Sequence, residues 1–194
     1  LSRYVYNTKK FVSFPCAVDN GFFQNNAISK PEERIKLRKD IGFQKGDFIF
    51  ATCSRLTKRK RTDMIISAIS EMKNKSVGLL VIGDGPEREN LEALAKNKNV
   101  KLSIIGFVGQ REVARYLSIS NAFTLMSKYD ASPKALNEAL SFRIPLIVSS
   151  GVGTARDLVL NEKNGWIITP KHERHLTKFF EKAVNSPKLK KSIF

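Results

Sequence analysis

The sequence predicts an α/β fold with a doubly wound, mostly parallel sheet of the Rossmann-like kind. Short apolar runs alternate with amphipathic helical stretches along the chain, and the runs are apolar at every position rather than at every second one. Strands buried on both faces of a parallel sheet have this composition. Repeated alternation of strand and helix is typical of βαβ units, in which each helix connects two parallel strands.

The predicted strands are short and rich in apolar or β-branched residues. The clearest are Phe48–Thr52, Val77–Ile82, Lys101–Ile105, Ala122–Met126 and Pro145–Ser149. Weaker runs lie at Phe11–Phe14 and Trp166–Ile168. We expect these segments to form one sheet.

Prolines and hydroxyl residues mark the predicted helix starts, because they fit the first helical position and the N-cap. The starts are Pro31, Thr62, Pro86 and the pair Ser132–Pro133. Ser132 is predicted to be an N-cap and Pro133 the first residue of its helix. The predicted helical stretches include Glu87–Lys96 and a packing helix at Leu176–Ala183.

The size and charge of the chain limit its class. Its 194 residues suit one domain, and no apolar run is long enough to span a bilayer. The formal net charge of +16 attracts phosphate-bearing ligands, anionic lipid or nucleic acid. We expect residues 1–25 to be a lead-in segment and 26–194 to be the domain. Because Leu1 is not an initiating Met, we also expect the chain to begin inside a longer protein.

Cysteine and histidine positions do not predict a metal site. Cys16 and Cys53 lie far apart without ligand spacing, which favours a reduced intracellular environment and leaves a disulfide between them open. His172 and His175 have no third ligand nearby and are predicted to be exposed helix residues.

The segment from Tyr129 to Glu138 follows a predicted strand directly and carries two carboxylates, Asp130 and Glu138. A helix start at the carboxyl end of a parallel strand is a natural anion site. The first amides of that helix, on Lys134, Ala135 and Leu136, would lack intrahelical acceptors. Carboxylates beside them are strong acceptors for sugar hydroxyls. The alternative is a solvated loop aspartate and an ordinary helical glutamate.

A second candidate segment follows the strand Phe48–Thr52 and is strongly basic. In it, Arg55 is suited to a forked contact with phosphate oxygens, and Lys60 adds a point charge. The alternative is a basic surface loop whose cations are merely solvated. We expect that alternative to hold for the other three cations, Lys58, Arg59 and Arg61.

The stretch Gly83–Glu87 closes the strand Val77–Ile82. It begins like a dinucleotide-binding fingerprint, but Arg88 stands where the third glycine belongs, so it is a weak nicotinamide motif. The same stretch is a strong signal for a tight turn between a strand and a helix.

Together these segments resemble the C-terminal domain of group 1 glycosyltransferases, the family-four enzymes with GT-B architecture. Each motif alone is weak, but their order along the chain is specific. The matching segments are Phe14–Phe23, Arg55-Leu56 with Lys60, Gly83–Pro86, Gly106–Val108, Asp130 with Glu138, Ile144–Val148 and Asn164-Gly165.

The resemblance implies a role for each matched residue. Arg55, Lys60 and the amides of Lys134, Ala135 and Leu136 would bind the donor diphosphate. Asp130 and Glu138 would be the catalytic-site carboxylates, the first meeting sugar hydroxyls and the second holding the ribose. The backbone near Phe107 and Val108 would meet the base.

The resemblance also implies the activity. Similar enzymes transfer a hexose from a UDP-, GDP- or ADP-sugar with retention and without metal or other cofactor. The acceptor would be a saccharide or a lipid-linked molecule, in cell-surface polysaccharide or glycan synthesis. An N-terminal acceptor domain, absent from these residues, would complete the active site, so we expect the isolated chain to be inactive.

The sequence departs from the family pattern in ways that bear on activity. Asp130 replaces the first Glu of the motif and has a shorter reach, Arg143 replaces a Gly, and the loop from Gly151 to Asp157 is a variant.

The high charge and these departures leave three other expectations open. One alternative is a basic α/β module that binds nucleic acid; against it, the cations are spread along the chain and no binding motif occurs. Another is an inactive family member that acts as a scaffold. The charge also suggests a cytoplasmic protein associated peripherally with an anionic membrane.

Overall fold

The computed structural model describes residues 16–186. The predicted strand Phe11–Phe14 and most of the lead-in segment lie outside that range. The six described strands form a single sheet in which every pair is parallel, in the order β3-β2-β1-β4-β5-β6. They are β1 Phe48–Cys53, β2 Val77–Ile82, β3 Lys101–Ile104, β4 Ala122–Leu125, β5 Leu146–Ser149 and β6 Gly165–Ile168. Each predicted strand in this range is confirmed to within one residue at either end.

Helices connect the strands. They are α1 Asn20–Asn25, α2 Pro31–Asp40, α3 Thr62–Ser70, α4 Arg88–Asn97, α5 Gln110–Ser118, α6 Lys134–Leu140, α7 Ala155–Leu158 and α8 Leu176–Asn185. Two short 3-10 helices, Lys58–Lys60 and Pro170–His175, precede α3 and α8. The predicted packing helix at Leu176–Ala183 is confirmed as α8.

The core lies on both faces of the sheet, as the uninterrupted apolar strands predict. On one face, Phe50 and Leu79 pack with the apolar sides of α3, α4 and α8. On the other, Ile49 and Leu80 pack with α1, α5, α6 and α7. Because neighbouring residues of a strand point to opposite faces, each apolar run fills both halves of the core.

Three local predictions are wrong in detail. Thr62 is the first residue of α3, and Arg61 holds the cap position with a left-handed φ of 52°. The helix after Pro86 begins at Arg88, with Glu87 at its cap position. His172 and His175 lie in a 3-10 helix rather than an α-helix, and His175 is half-buried.

Candidate functional site

The loops after β1 and β4 meet at the carboxyl edge of the sheet. These strands are hydrogen-bonded neighbours, and the chain order reverses direction between them. Ligands of open α/β sheets bind at such a switch point. Lys60 from the first loop forms an ion pair with Asp130 from the second, and the two side chains are only 11% and 16% exposed. Two residues predicted to serve different parts of a ligand are therefore in direct contact.

The loop after β1 is fastened to the loop after β4 by two further cations. The Arg59 guanidinium donates to the carbonyl of Tyr129. Arg61 donates to the carbonyl of Met126 at 2.7 Å and pairs with Glu173 at 2.7 Å. The prediction of a merely solvated cation is wrong for Arg61, which is half-buried and bound across the switch point. Arg59 is exposed, as predicted, but it also has a bond across the switch point. Lys58 is exposed, as expected.

Asp130 is held from its other side by the glycine-containing loop after β5. Its amide donates to the carbonyl of Gly151 at 3.0 Å, and its own carbonyl accepts from the amide of Gly153 at 2.8 Å. A Cβ at Gly151 would overlap the carbonyl oxygen of Lys128, and one at Gly153 would overlap that of Ala131. The absence of side chains at these two positions therefore lets the two loops pair.

The start of α6 differs from the prediction. Pro133, not Ser132, holds the cap position, and Lys134 is the first helical residue. The Ser132 hydroxyl is engaged by the amide of Cys16 at 2.9 Å, so it caps nothing. The amide of Leu136 donates to the carbonyl of Pro133 at 3.3 Å.

These contacts change which amides are free for a ligand. Leu136 is removed from the predicted anion-binding group because its amide already has an acceptor. Within residues 16–186, only the amides of Lys134 and Ala135 at this helix start have no backbone or side-chain acceptor.

Glu138 lies on the buried side of α6 and is 9% exposed. Burial raises the pKa of its carboxyl, and the charge of Lys134 acts in the opposite direction. Among the described residues it has no hydrogen-bond or ion-pair partner. A buried carboxylate without a partner is costly, which marks it as a functional candidate.

Cys53, at the end of β1, lies near both Glu138 and Lys60. Burial and the neighbouring Glu138 charge raise the pKa of its thiol to about 12, while Lys60 opposes the shift. The thiol is therefore neutral and unreactive at physiological pH. Both Cys53 and Cys16 are free, so the disulfide that the sequence left open does not form. Sequence reasoning missed Cys53 as a site residue, although its place directly before Ser54-Arg55 was a usable signal.

A shallow cavity of about 210 Å³ lies beside Cys53, and the remaining predicted site residues line it. Arg55, Phe107 and Val108 all line it, together with Cys53. Arg55 is exposed, and the Phe107 ring is 74% exposed. The predicted site residues thus lie in two groups at the carboxyl edge, and Cys53 lies between them, since it lines the cavity and its pKa is influenced by Glu138 and Lys60.

The turn at Gly83–Pro86 contacts the backbone on both sides of Arg55. The amide of Leu56 donates to the carbonyl of Asp84 at 2.8 Å. A Cβ at Gly83 would overlap the Ser54 carbonyl, and one at Gly85 would overlap the Leu56 backbone. These glycines therefore allow two backbone segments to touch, which agrees with the tight turn predicted for this stretch.

No group of three or more potential metal ligands occurs among residues 16–186. In the same range, no helix combines the length and apolar character needed to cross a bilayer.

The strand order and the position of the site define a Rossmann-like α/β domain with its ligand edge at the switch point. Comparison with known families identifies it further. Residues 33–193 match the family model of glycosyl transferases group 1, and the chain belongs to that family.

Individual relatives agree with this assignment. The chain is 27% identical over 144 residues to an alpha-monoglucosyldiacylglycerol synthase of Acholeplasma laidlawii, covering 72% of this chain and 36% of that protein. It spans less than half the length of the curated relatives it matches.

Two solved structures share the fold. The C-terminal domain of the group 1 protein LpcC from Francisella tularensis has a TM-score of 0.76 at 19% identity, with 91% of this chain and 92% of that one covered. Anabaena HepE in complex with UDP-glucose has a TM-score of 0.77 at 18% identity, with 91% and 48% covered.

Proposed function

We propose that this chain is the donor-binding domain of a retaining, metal-independent glycosyltransferase. Residues 26–194 would form that domain, and an N-terminal domain outside these residues would bind the acceptor. The coverage of less than half of each curated relative supports this division. The isolated chain would bind the donor weakly and would not transfer sugar.

The observation that carries the proposal is the cluster at the switch point. Lys60 and Asp130 form an ion pair there, and the partnerless Glu138 lies close enough to influence the same Cys53 thiol as Lys60. A diphosphate offers negative oxygens to Lys60 and Arg55, and a sugar offers hydroxyl donors to carboxylates.

The proposed roles follow from this placement. Arg55, Lys60 and the amides of Lys134 and Ala135 would bind the diphosphate and offset its charge as it leaves. Lys60 would then exchange part of its contact with Asp130 for phosphate oxygens. Asp130 would be released toward the sugar hydroxyls, and Glu138 would accept from the ribose. The backbone at Phe107 and Val108 would meet the base.

The solved structure of HepE with UDP-glucose supports a nucleotide-sugar donor. The Acholeplasma relative, named as an alpha-monoglucosyldiacylglycerol synthase, supports a lipid or lipid-linked acceptor, and a saccharide is the alternative acceptor. Synthesis of cell-surface glycans at the inner face of the cytoplasmic membrane is consistent with both.

A nucleotide titration tests the proposal. We would measure thermal shift and calorimetric binding for UDP, GDP and ADP, with and without magnesium, on the wild type, Glu138→Ala and the control Glu89→Ala. Glu89 is an exposed carboxylate on α4, away from the cluster. We expect one nucleotide to stabilise the wild type and the control without metal, and to lose that effect in Glu138→Ala. Binding of no nucleotide by a folded chain would favour the inactive scaffold.

A further inference from the structure

A basic groove lies at the opposite edge of the sheet, beside α2. Its volume is about 650 Å³. It is lined by the basic side chains of Arg34, Arg38 and Lys45 and by the apolar side chains of Ile28, Pro31 and Ile35. None of its described lining residues is acidic. This basic groove is separate from the candidate donor site, which lies at the carboxyl ends of the strands.

Arg38 is a buried lining residue of the basic groove, and hydrogen bonds hold its side chain in place. Its guanidinium donates to the carbonyl of Ile119 at 3.0 Å, to that of Asp47 at 3.1 Å and to the side-chain oxygen of Asn121 at 3.0 Å. Asn121 and Asp47 each directly precede a strand, which places this group at the amino edge of the sheet. With its hydrogens engaged, Arg38 contributes charge to the groove rather than free donors.

Arg34 lies one helical turn before Arg38 and has most of its donors free. Its described hydrogen bond is a long one, 3.4 Å to the carbonyl of Ile28. Lys45 is exposed; its carbonyl accepts from Arg38 at 3.3 Å, but its ammonium group has no partner among the described residues. The groove therefore offers one half-buried guanidinium fork and one ammonium group.

Electrostatics within the basic groove favour an anion. Burial lowers the pKa of Arg34, and both burial and the charge of Arg34 lower that of Arg38. Asp47 opposes the shift at Arg38, but its carboxylate is already bound by Lys101 and by the amide of Gln44 at 2.7 Å. Two like charges are thus held together with little compensation, and a bound anion would relieve their repulsion.

We propose that the basic groove binds a phosphate group, and that its apolar side favours a phosphate carried on a hydrocarbon stem. A guanidinium fork matches phosphate oxygens in geometry, and Lys45 adds a second cation. Ile35, 37% exposed, offers apolar surface next to these charges. This inference is independent of the donor site.

Calorimetry on the 194-residue chain tests it with three probes: inorganic phosphate, monomeric dihexanoyl phosphatidic acid and dihexanoyl phosphatidylcholine. The variant pair is R34Q with K45Q, and the matched control is K36Q with K39Q, which removes the same charge from exposed positions of α2. We expect phosphatidic acid to bind the wild type and the control alike, and R34Q/K45Q to bind it about tenfold more weakly, the usual effect of losing a charged hydrogen bond. Thermal denaturation would verify that both variants fold.

The probes also distinguish the source of the phosphate. Tighter binding of phosphatidic acid than of inorganic phosphate assigns the groove to a lipid-like ligand, and sedimentation with vesicles containing phosphatidic acid would show whether it is reached in a bilayer. Equal binding of the two assigns it to soluble phosphate. Equal weakening in both variant pairs, equal binding of phosphatidylcholine, or no binding of either phosphate probe by the wild type would overturn the proposal.

Discussion

The two halves of the candidate donor site are held in different ways. Around Asp130, an ion pair and backbone hydrogen bonds from the loops after β1 and β5 hold the loop after β4 in place. Around Phe107, the cavity is shallow and the ring projects into solvent. The comparison teaches that the half with the proposed diphosphate and sugar contacts is held by the fold before any ligand binds. The half proposed for the base is open, and the fold does not hold the Phe107 ring in place.

The largest expected effect is on the fixed half, from Lys60→Met. It removes the cation proposed to bind phosphate and leaves Asp130 without its ion-pair partner. We expect affinity for the nucleotide identified by titration to fall about 10- to 100-fold, the scale of a charge-assisted contact. Calorimetry measures this, and the exposed neighbour Lys58→Met is the control. A similar loss in both variants would mean that general charge, not the ion pair, governs binding.

Rigid support of Asp130 is tested next by Gly153→Ala. The added methyl group would meet the carbonyl oxygen of Ala131. We expect the free energy of unfolding to fall by about 1–3 kcal/mol, as in other overpacked sites. Gly46→Ala, where nothing lies within 4 Å of the new Cβ, should change it by less than about 0.5 kcal/mol. Urea denaturation compares the two, and an unchanged stability for Gly153→Ala would show that the loop after β5 is not a fixed support.

Glu138→Gln separates stability from binding. The pKa of Glu138 is raised by burial, so the folded state favours the protonated carboxyl and loses stability as pH rises through that pKa. The amide variant avoids the buried charge. We expect its melting temperature to exceed that of the wild type at neutral pH, and the difference to vanish at acid pH.

Nucleotide affinity of Glu138→Gln should nevertheless fall about tenfold, because a ribose hydroxyl loses a charged acceptor. Thermal denaturation across pH and calorimetry at neutral pH give the two results. A variant that is less stable at neutral pH, with unchanged binding, would make Glu138 a structural residue.

The smallest effect is expected on the open half. If only backbone meets the base, Phe107→Ala should change nucleotide affinity by less than about threefold and unfolding free energy by less than about 0.5 kcal/mol, as usual for an exposed side chain. Titration with UDP, GDP and ADP should show the same preference as the wild type. A tenfold loss would instead indicate that the ring stacks on the base.

The sequence predicted the strands well because burial on both faces leaves a local, uninterrupted apolar signal. It also placed the segments that carry Lys60, Asp130 and Glu138 at the same edge of the sheet, since two of them follow strands and the helix of the third starts there. It failed where a distant partner decides the outcome. Ser132 has the chemistry of an N-cap, but its hydroxyl is engaged by a residue 116 positions away.

Arg59 and Arg61 show the same limit. Their charge predicts side chains that only water contacts, and nothing adjacent in sequence reveals the carbonyl groups of Tyr129 and Met126 that they bind. Only the strand order, which places β1 beside β4, brings those partners within reach. With that strand order known, a contact between the loops after β1 and β4 could have been predicted.

The bonds between Cys16 and α6 have a mechanical consequence. The amide of Cys16 donates to Ser132, its carbonyl accepts from Asn137, and Ser141 at the other end of the helix donates to Asn20 at 2.9 Å. Residues 16–20 are therefore hydrogen-bonded along α6, the helix that carries Glu138. Because these bonds attach residues 16–20 directly to α6 and its ends, movement of that segment would act on the helix that carries Glu138.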